Sequence, residues 1–178
     1  MSEQKENKTK KKSNSEFYEW TKAITIAVVI ALLIRIFIFE FVVVEQTSMY
    51  PTLKEGEKLC VVKAAYWFDA PERGEIVIVK ISDTTNYVKR VVGLPGETVE
   101  IKDNVVYING EALEEDYLVS GLTYNDYGPI TVPDGEYFLL GDNRPVSQDS
   151  REMGCFSQDA IIAKVAFRLR PFTYLYNQ

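Results

Sequence analysis

The sequence predicts an all-β domain tethered by one N-terminal transmembrane helix, and three observations carry that expectation. An apolar run from residue 23 to 39 is broken by a single charge, Arg35. Beyond residue 40, short β-branched segments alternate with turn-forming residues. No amphipathic helical stretch of useful length follows. At 178 residues the chain has room for one ordinary domain plus an extra segment, and with 11 Tyr and 9 Phe it is too aromatic for a disordered protein.

The elements follow in order. Residues 1–21 form a basic tail. In residues 1–22, Lys5, Lys8, Lys10, Lys11, Lys12 and Lys22 outweigh Glu3, Glu6, Glu16 and Glu19. Residues 22–40 are the expected anchor. As a helix, residues 23–39 reach about 26 Å, enough to cross a hydrocarbon core of about 30 Å with slight thinning. Arg35, near one end, reaches back to the headgroups. The sequence after the run, Phe41-Val42-Val43-Val44-Glu45, offers no small-x-small cleavage site, so the segment reads as an uncleaved anchor. Lysines before it and acidic residues after it place the N-terminus in the cytoplasm and residues from about 41 onward outside the plasma membrane.

Residues 41–178 form the expected extracytoplasmic domain. Strands are predicted at Lys58–Lys63, Glu75–Ile81, Tyr87–Val92, Thr98–Ile101, Val105–Ile108, Tyr137–Leu140 and Ile161–Leu169. Asp103-Asn104 and Asn109-Gly110 predict tight hairpins. Residues 97–130 read as a reduced accessory excursion, whose polar, Tyr-rich part from 111 is irregular.

Composition narrows the chemistry. The chain has no histidine, which removes Ser-His-Asp and Cys-His catalysis, and its two cysteines are too few for a Cys-rich zinc site. Acid–base work falls to Lys, Asp, Glu, Tyr or Cys. The overall charge of −6 is concentrated after residue 40, which argues against a nucleic-acid partner. No cofactor and no metal are expected. Cys60 and Cys155 are expected as free, mostly buried thiols, with pairing in an oxidising exterior as the alternative.

Three clusters carry potential chemistry. Ser48 lies in Thr47-Ser48-Met49-Tyr50-Pro51-Thr52-Leu53, where Pro51 shapes a bend. A serine there is as readily a turn residue as a nucleophile. Lys89 and Arg90 are adjacent in a predicted strand, so they point to opposite faces and one of them points the way apolar residues do. A buried lysine loses proton affinity and becomes a base near neutral pH, whereas a solvated one does not. The third cluster, Gly141 to Arg151, packs polar side chains behind an apolar strand, as either a surface loop or a site wall.

Taken together, these stretches resemble the type I signal peptidases of the short Gram-positive kind, membrane-anchored serine proteases with a Ser/Lys dyad. The pieces are Ser48-Met49-x-Pro51-Thr52-Leu53, Arg73-Gly74-Glu75-Ile76-Val77, Lys89-Arg90-Val91-Val92-Gly93-Leu94-Pro95-Gly96-Glu97, and Gly141-Asp142-Asn143-Arg144 with Ser147, Asp149, Ser150 and Arg151. They occur in family order behind an N-terminal anchor.

The resemblance implies coiled, partly barrel-like antiparallel sheets and a set of roles. Ser48 is the nucleophile and Lys89 the general base; Ser147 hydrogen-bonds and orients the lysine. Asp149 and Arg151 form a structural ion pair, and Asp142 and Arg90 are further supports. The backbone N–H of Ser48 donates to the oxyanion. Gln46 stands where family members have Ser or Gly, and its amide is a candidate second donor. Val42, Val44, Met49, Leu53, Tyr87 and Val88 are the implied walls of shallow pockets for small residues; as ordinary core hydrophobes they have an equal alternative reading. The implied substrates are signal peptides of secretory precursors, met in the plane of a shared lipid bilayer. Against this stand a membrane-anchored, non-catalytic β-domain that binds peptides and an inactive or narrowly selective paralogue.

Overall fold

The computed structural model describes the backbone of residues 3–169, and the side chains of residues 17–169 except Ile36. Residues 1–2 and 170–178 of the expected tail and domain, and the side chains of Lys5, Lys8, Lys10, Lys11 and Lys12, lie outside the described residues. The chain divides into two compact units, Met1–Phe39 and Glu40–Gln178.

The first unit is the helix α1 (Glu3–Phe37). Its segment Phe17–Arg35 has a mean hydropathy of 1.7 and is unburied, and it is long and apolar enough to cross a bilayer. At 19 residues it spans about 28 Å. The two threonine hydroxyls in this stretch are satisfied within the helix: Thr21 Oγ1 donates to the Phe17 carbonyl at 2.7 Å and Thr25 Oγ1 to the Thr21 carbonyl at 2.8 Å. The helix ends before residue 40, because Phe39 already opens the strand β1 (Phe39–Val43).

The second unit is built on antiparallel sheets. β2 (Lys58–Val62), β3 (Ile76–Lys80), β4 (Asn86–Gly93), β9 (Glu136–Leu140), β10 (Phe156–Ser157) and β11 (Ile161–Leu169) join β1 in a seven-stranded sheet of order β1-β2-β11-β3-β4-β9-β10. β5 (Thr98–Lys102), β6 (Val105–Ile108), β7 (Glu111–Ala112) and β8 (Tyr127–Thr131) form a second sheet of order β7-β6-β5-β8. The expected strands all appear, with ends moved by a residue or so. Both expected hairpins form: Asp103 and Asn104 take φ of 51° and 64°, and Asn109 and Gly110 take 54° and 85°, the left-handed geometry that two-residue turns require.

The accessory excursion is more ordered than expected. Its two ends pair as β7 and β8, and irregular chain is confined to residues 113–126. β7 was hidden by its two-residue length and β8 by Gly128-Pro129, a pair that ordinarily argues against a strand. A four-residue helix, α2 (Ser150–Met153), was also not foreseen.

Three apolar clusters hold the second unit. One includes Val92, Val99, Ile101, Val106, Phe138 and Leu140, and it binds the two sheets together. A Cβ on Gly93 would lie 2.6 Å from Val99 Cγ2 and 2.9 Å from Phe138 Cβ, so a glycine is required where β4 passes this cluster. A second cluster contains Val44, Met49, Leu53, Leu59, Val61 and Ile78. A third, with Val77, Val79, Val91 and Leu139, fills the other face of the large sheet. β4 is thus covered on both faces. Alternation along it therefore buries both Lys89, 1% exposed, and Arg90, 8% exposed.

Candidate active site

The turn that presents Ser48 is pinned from below. Met49 and Leu53 are both fully buried in the second apolar cluster, and each contributes about 2 kcal/mol by burial. Leu53 N–H donates to the Met49 carbonyl at 2.9 Å and Tyr50 N–H to the Thr47 carbonyl at 3.1 Å, which closes the turn. The Tyr50–Pro51 bond is cis. Among the described residues the N–H of Ser48 has no protein acceptor.

Lys89 approaches from β4. Its Nζ donates to Ser48 Oγ at 3.0 Å, and both side chains are buried. Burial, which penalises the charged amine, brings the Lys89 pKa down to about 8; Asp149 opposes this, Arg151 reinforces it and Asp142 opposes it. No carboxylate makes an ion pair with Lys89 among the described residues, so desolvation wins. The amine also lies 5.0 Å from the centre of the Tyr87 ring, and Tyr87 Oη donates to Gln148 Oε1 at 3.1 Å.

The loop from Gly141 to Ser147 closes the other side. Asn143 N–H donates to the Ser48 carbonyl at 2.9 Å, and its side-chain amide to the Thr47 carbonyl at 3.2 Å. Asp142 is fully buried and accepts from Arg90 Nε at 2.8 Å, from Arg90 Nη2 at 2.7 Å and from Thr52 Oγ1 at 2.5 Å. The paired Asp142 charge raises the Arg90 pKa above its ordinary value in spite of the burial that opposes it. Asp149 accepts two hydrogen bonds from Arg151 at 2.8 Å, caps α2 through Arg151 N–H, and takes the Gly141 N–H at 3.1 Å. A Cβ on Gly141 would overlap Ser147 Oγ and lie 2.5 Å from the Ser48 carbonyl oxygen, so only glycine fits between them.

The structure thus brings Ser48, Lys89, Arg90, Asp142, Ser147, Asp149 and Arg151 into one centre. Ser147 is buried there, but its Oγ has no hydrogen-bond partner among the described residues. The expected Ser147–Lys89 hydrogen bond is therefore not formed: the lysine points to Ser48, and Ser147 packs against Gly141. Gln46 is exposed at the cleft rim, with no hydrogen bond among the described residues. Cys60 is buried and Cys155 half-buried, both free.

The implied pocket residues divide. A hollow of about 80 Å³ beside Ser48 is lined by Val44, Met49 and Val88, together with Asn86 and Gln46. Tyr87 lines the adjoining cleft with Lys89 and Gln148. Val42 and Leu53 are not lining residues of either; they pack in the apolar cluster with Val44 and Met49. Thr52 and Arg144 stand within the quoted motifs without a role, while Glu115, Tyr117 and Tyr124 lie outside them; Thr52 bonds to Asp142, Glu115 and Tyr124 to Arg144, and Tyr117 to Glu115. Glu115 reaches Arg144 across 29 residues, and nothing local marks that pairing.

The arrangement is that of a hydrolase centre in which an amine, in place of an imidazole, serves a serine hydroxyl. Comparison with known proteins gives the family. The family model for signal peptidase, peptidase S26, matches residues 17–170, and the chain belongs to that family. It is 48% identical to signal peptidase I of Bacillus amyloliquefaciens, over 94% of this chain and 92% of that protein. Signal peptidase I T of Bacillus subtilis (strain 168) is 46% identical, over 93% of this chain and 91% of its own. Signal peptidase IB of Staphylococcus aureus (strain MRSA252) is 37% identical over 91% and 94%. A solved signal peptidase I from Enterococcus faecalis V583 matches with 38% identity and a TM-score of 0.49, over 55% of this chain and 98% of that one.

Proposed function

We propose that Ser48 and Lys89 carry out the reaction of this chain, which as a signal peptidase I family member removes signal peptides from secretory precursors by serine-protease chemistry. The observation that supports this assignment is the 3.0 Å contact between Lys89 Nζ and Ser48 Oγ in a buried setting that holds the amine near pKa 8. With the lysine neutral, the contact reverses: the Ser48 O–H donates to Nζ. Ser48 Oγ then attacks the scissile carbonyl as its proton passes to Lys89. The unpartnered Ser48 N–H faces the developing oxyanion, with the Gln46 amide as second donor. Collapse expels the amine of the mature chain, which takes the proton from Lys89. Lys89 next deprotonates the water that hydrolyses the acyl-enzyme. Arg90–Asp142 and Asp149–Arg151 are the supporting ion pairs.

The shallow apolar hollow beside Ser48, walled by Val44, Met49 and Val88, favours a small apolar residue next to the cut, so cleavage follows small-x-small sites. β9 pairs with β4 only from Arg90 onward, which leaves residues 86–89 of β4 with an open edge. An extended substrate adds there as a strand. Residues 22–40 are the anchor in the plasma membrane, with the basic tail 1–21 in the cytoplasm and residues 41–178, the peptidase domain, outside it. Anchored enzyme and anchored precursor then meet in two dimensions.

The test is cleavage of a precursor carrying an Ala-x-Ala site by detergent-solubilised protein. Wild type is expected to cut after the second Ala, with Ser48→Ala and Lys89→Met inert and Gln46→Gly active. Cleavage by folded Ser48→Ala at the wild-type rate would overturn the assignment.

A further inference from the structure

The irregular segment 113–126 contacts the active-site loop through a buried ion pair. Arg144, 1% exposed, lies within that loop. Its Nη1 donates to Glu115 Oε2 at 3.1 Å and its Nη2 to Glu115 Oε1, so the carboxylate grips the guanidinium with both oxygens. The same arginine donates through Nε to the Gly141 carbonyl at 3.0 Å, and its own carbonyl accepts from Arg151 Nη2 at 2.7 Å. Two tyrosines of the segment complete the contact. Tyr117 Oη donates to Glu115 Oε1 at 2.5 Å while its ring lies 3.8 Å under the guanidinium of Arg90. Tyr124 Oη accepts from Arg144 Nη1 at 3.3 Å, and its ring faces both Arg144 and Arg151 at 5.6 and 5.8 Å.

These contacts reach all three arginines behind the dyad. In this cluster Arg90, Arg144 and Arg151 balance Asp142, Asp149 and Glu115, which leaves Lys89 as the surplus cation. Without Glu115, Arg144 would be a buried charge with no counter-ion, and the loop carrying it would be driven toward solvent. Asn143, next to Arg144, is the residue whose N–H holds the Ser48 carbonyl.

We propose that segment 113–126 is a clasp that positions the dyad, with Glu115 and Tyr117 as positioning residues: by seating Arg144 they hold the 141–147 loop against the Ser48 turn. This rests on the Ser48/Lys89 reading for its effect on rate, but not for its effect on the loop. The clasp touches no substrate pocket, so it acts on turnover and leaves substrate binding alone.

The experiment uses the full chain in detergent and reads two quantities, amide hydrogen exchange and steady-state cleavage of an Ala-x-Ala precursor. In Glu115→Gln, exchange at Asn143 is expected to quicken at least tenfold while Ile78, in the middle of β3, stays at the wild-type rate. kcat is expected to fall about tenfold or more, with KM within twofold. Combining Glu115→Gln with Arg144→Lys should be no worse than the more damaging single change, since both open the same clasp. Tyr117→Phe, which keeps the ring and removes only the bond to Glu115, is expected to lower kcat a fewfold. Unchanged exchange at Asn143, or quickening shared equally by Ile78, overturns the proposal. So does loss expressed in KM alone. If Glu115→Gln fails to fold, Tyr117→Phe decides, and wild-type kcat and Asn143 exchange in that variant overturn it. Should wild type leave the precursor intact, the functional reading fails, while the exchange data still decide the clasp.

Discussion

The two faces of β4 treat neighbouring cations in opposite ways. On one face Lys89 is buried with a neutral hydroxyl as its partner, and its pKa is drawn down to about 8. On the other, Arg90 is buried against a carboxylate that grips it with both oxygens, and its pKa is raised. Burial is common to both; the carboxylate is the difference. A buried cation given a carboxylate becomes a fixed strut. One denied it becomes a base, because the protein makes its charged form costly without cancelling that cost.

The largest effect that breaks this contrast is on turnover. Lys89→Met removes the proposed base and is expected to lower kcat by a hundredfold to about ten-thousandfold, measured on a precursor at pH 8. Next come two stability changes of opposite sign. Arg90→Met leaves Asp142 buried without its cation and is expected to cost about 3–5 kcal/mol, near 10 °C in melting temperature. Lys89→Met should stabilise the chain by ~3 kcal/mol at pH 7, since the native amine titrates near 8 and the unfolded one near 10.5. Between those values the unfolded chain binds more protons, so wild-type stability rises with pH across that window. The advantage of Lys89→Met is therefore full below about pH 8 and gone by about 10.5. Melting curves of both variants at pH 7 and 10.5 test the pair, and a destabilised Lys89→Met at pH 7 would contradict it.

A finer probe is the pH profile. Because Lys89 must be neutral to accept a proton, kcat/KM is expected to climb as pH rises through about 8. Arg151 holds the lysine pKa down and also neutralises Asp149, so Arg151→Gln should move that limb to higher pH; a limb displaced downward would refute the electrostatic account. The smallest effect is a control on the neighbouring strand. Lys80 is half exposed and pairs with the exposed Asp83 at 2.8 Å, so Lys80→Ala should alter stability by no more than ~0.5 kcal/mol in denaturant titration.

What the sequence disclosed follows the range of the interactions involved. Strands such as Val105–Ile108 were legible from alternation, and their turns from Asp103-Asn104 and Asn109-Gly110, because both signals are local. Alternation also set Lys89 and Arg90 on opposite faces. It suggested that one of them was buried, while a domain with apolar clusters on both sides of β4 buries both. β8 escaped because Gly128-Pro129 is a local argument against a strand, and pairing with β5 overrides it. The partners of Arg144 escaped for the complementary reason: Glu115, Tyr117 and Tyr124 sit in a polar stretch with no periodicity, and only the tertiary fold brings them to the arginine. The pocket walls were half legible, since a valine or leucine that lines a hollow and one that lies behind it are written alike.

Gly141 gives the centre a particular genetic fragility. A side chain at position 141 would fall between Ser147 and the Ser48 carbonyl, so any replacement there displaces the Ser48 turn and the loop together. At this position even a single added methyl group is expected to disrupt the centre. A descendant released from selection for cleavage would be free to fill that space early, and an occupied position 141 in an otherwise well-preserved copy would be the mark of a retired enzyme.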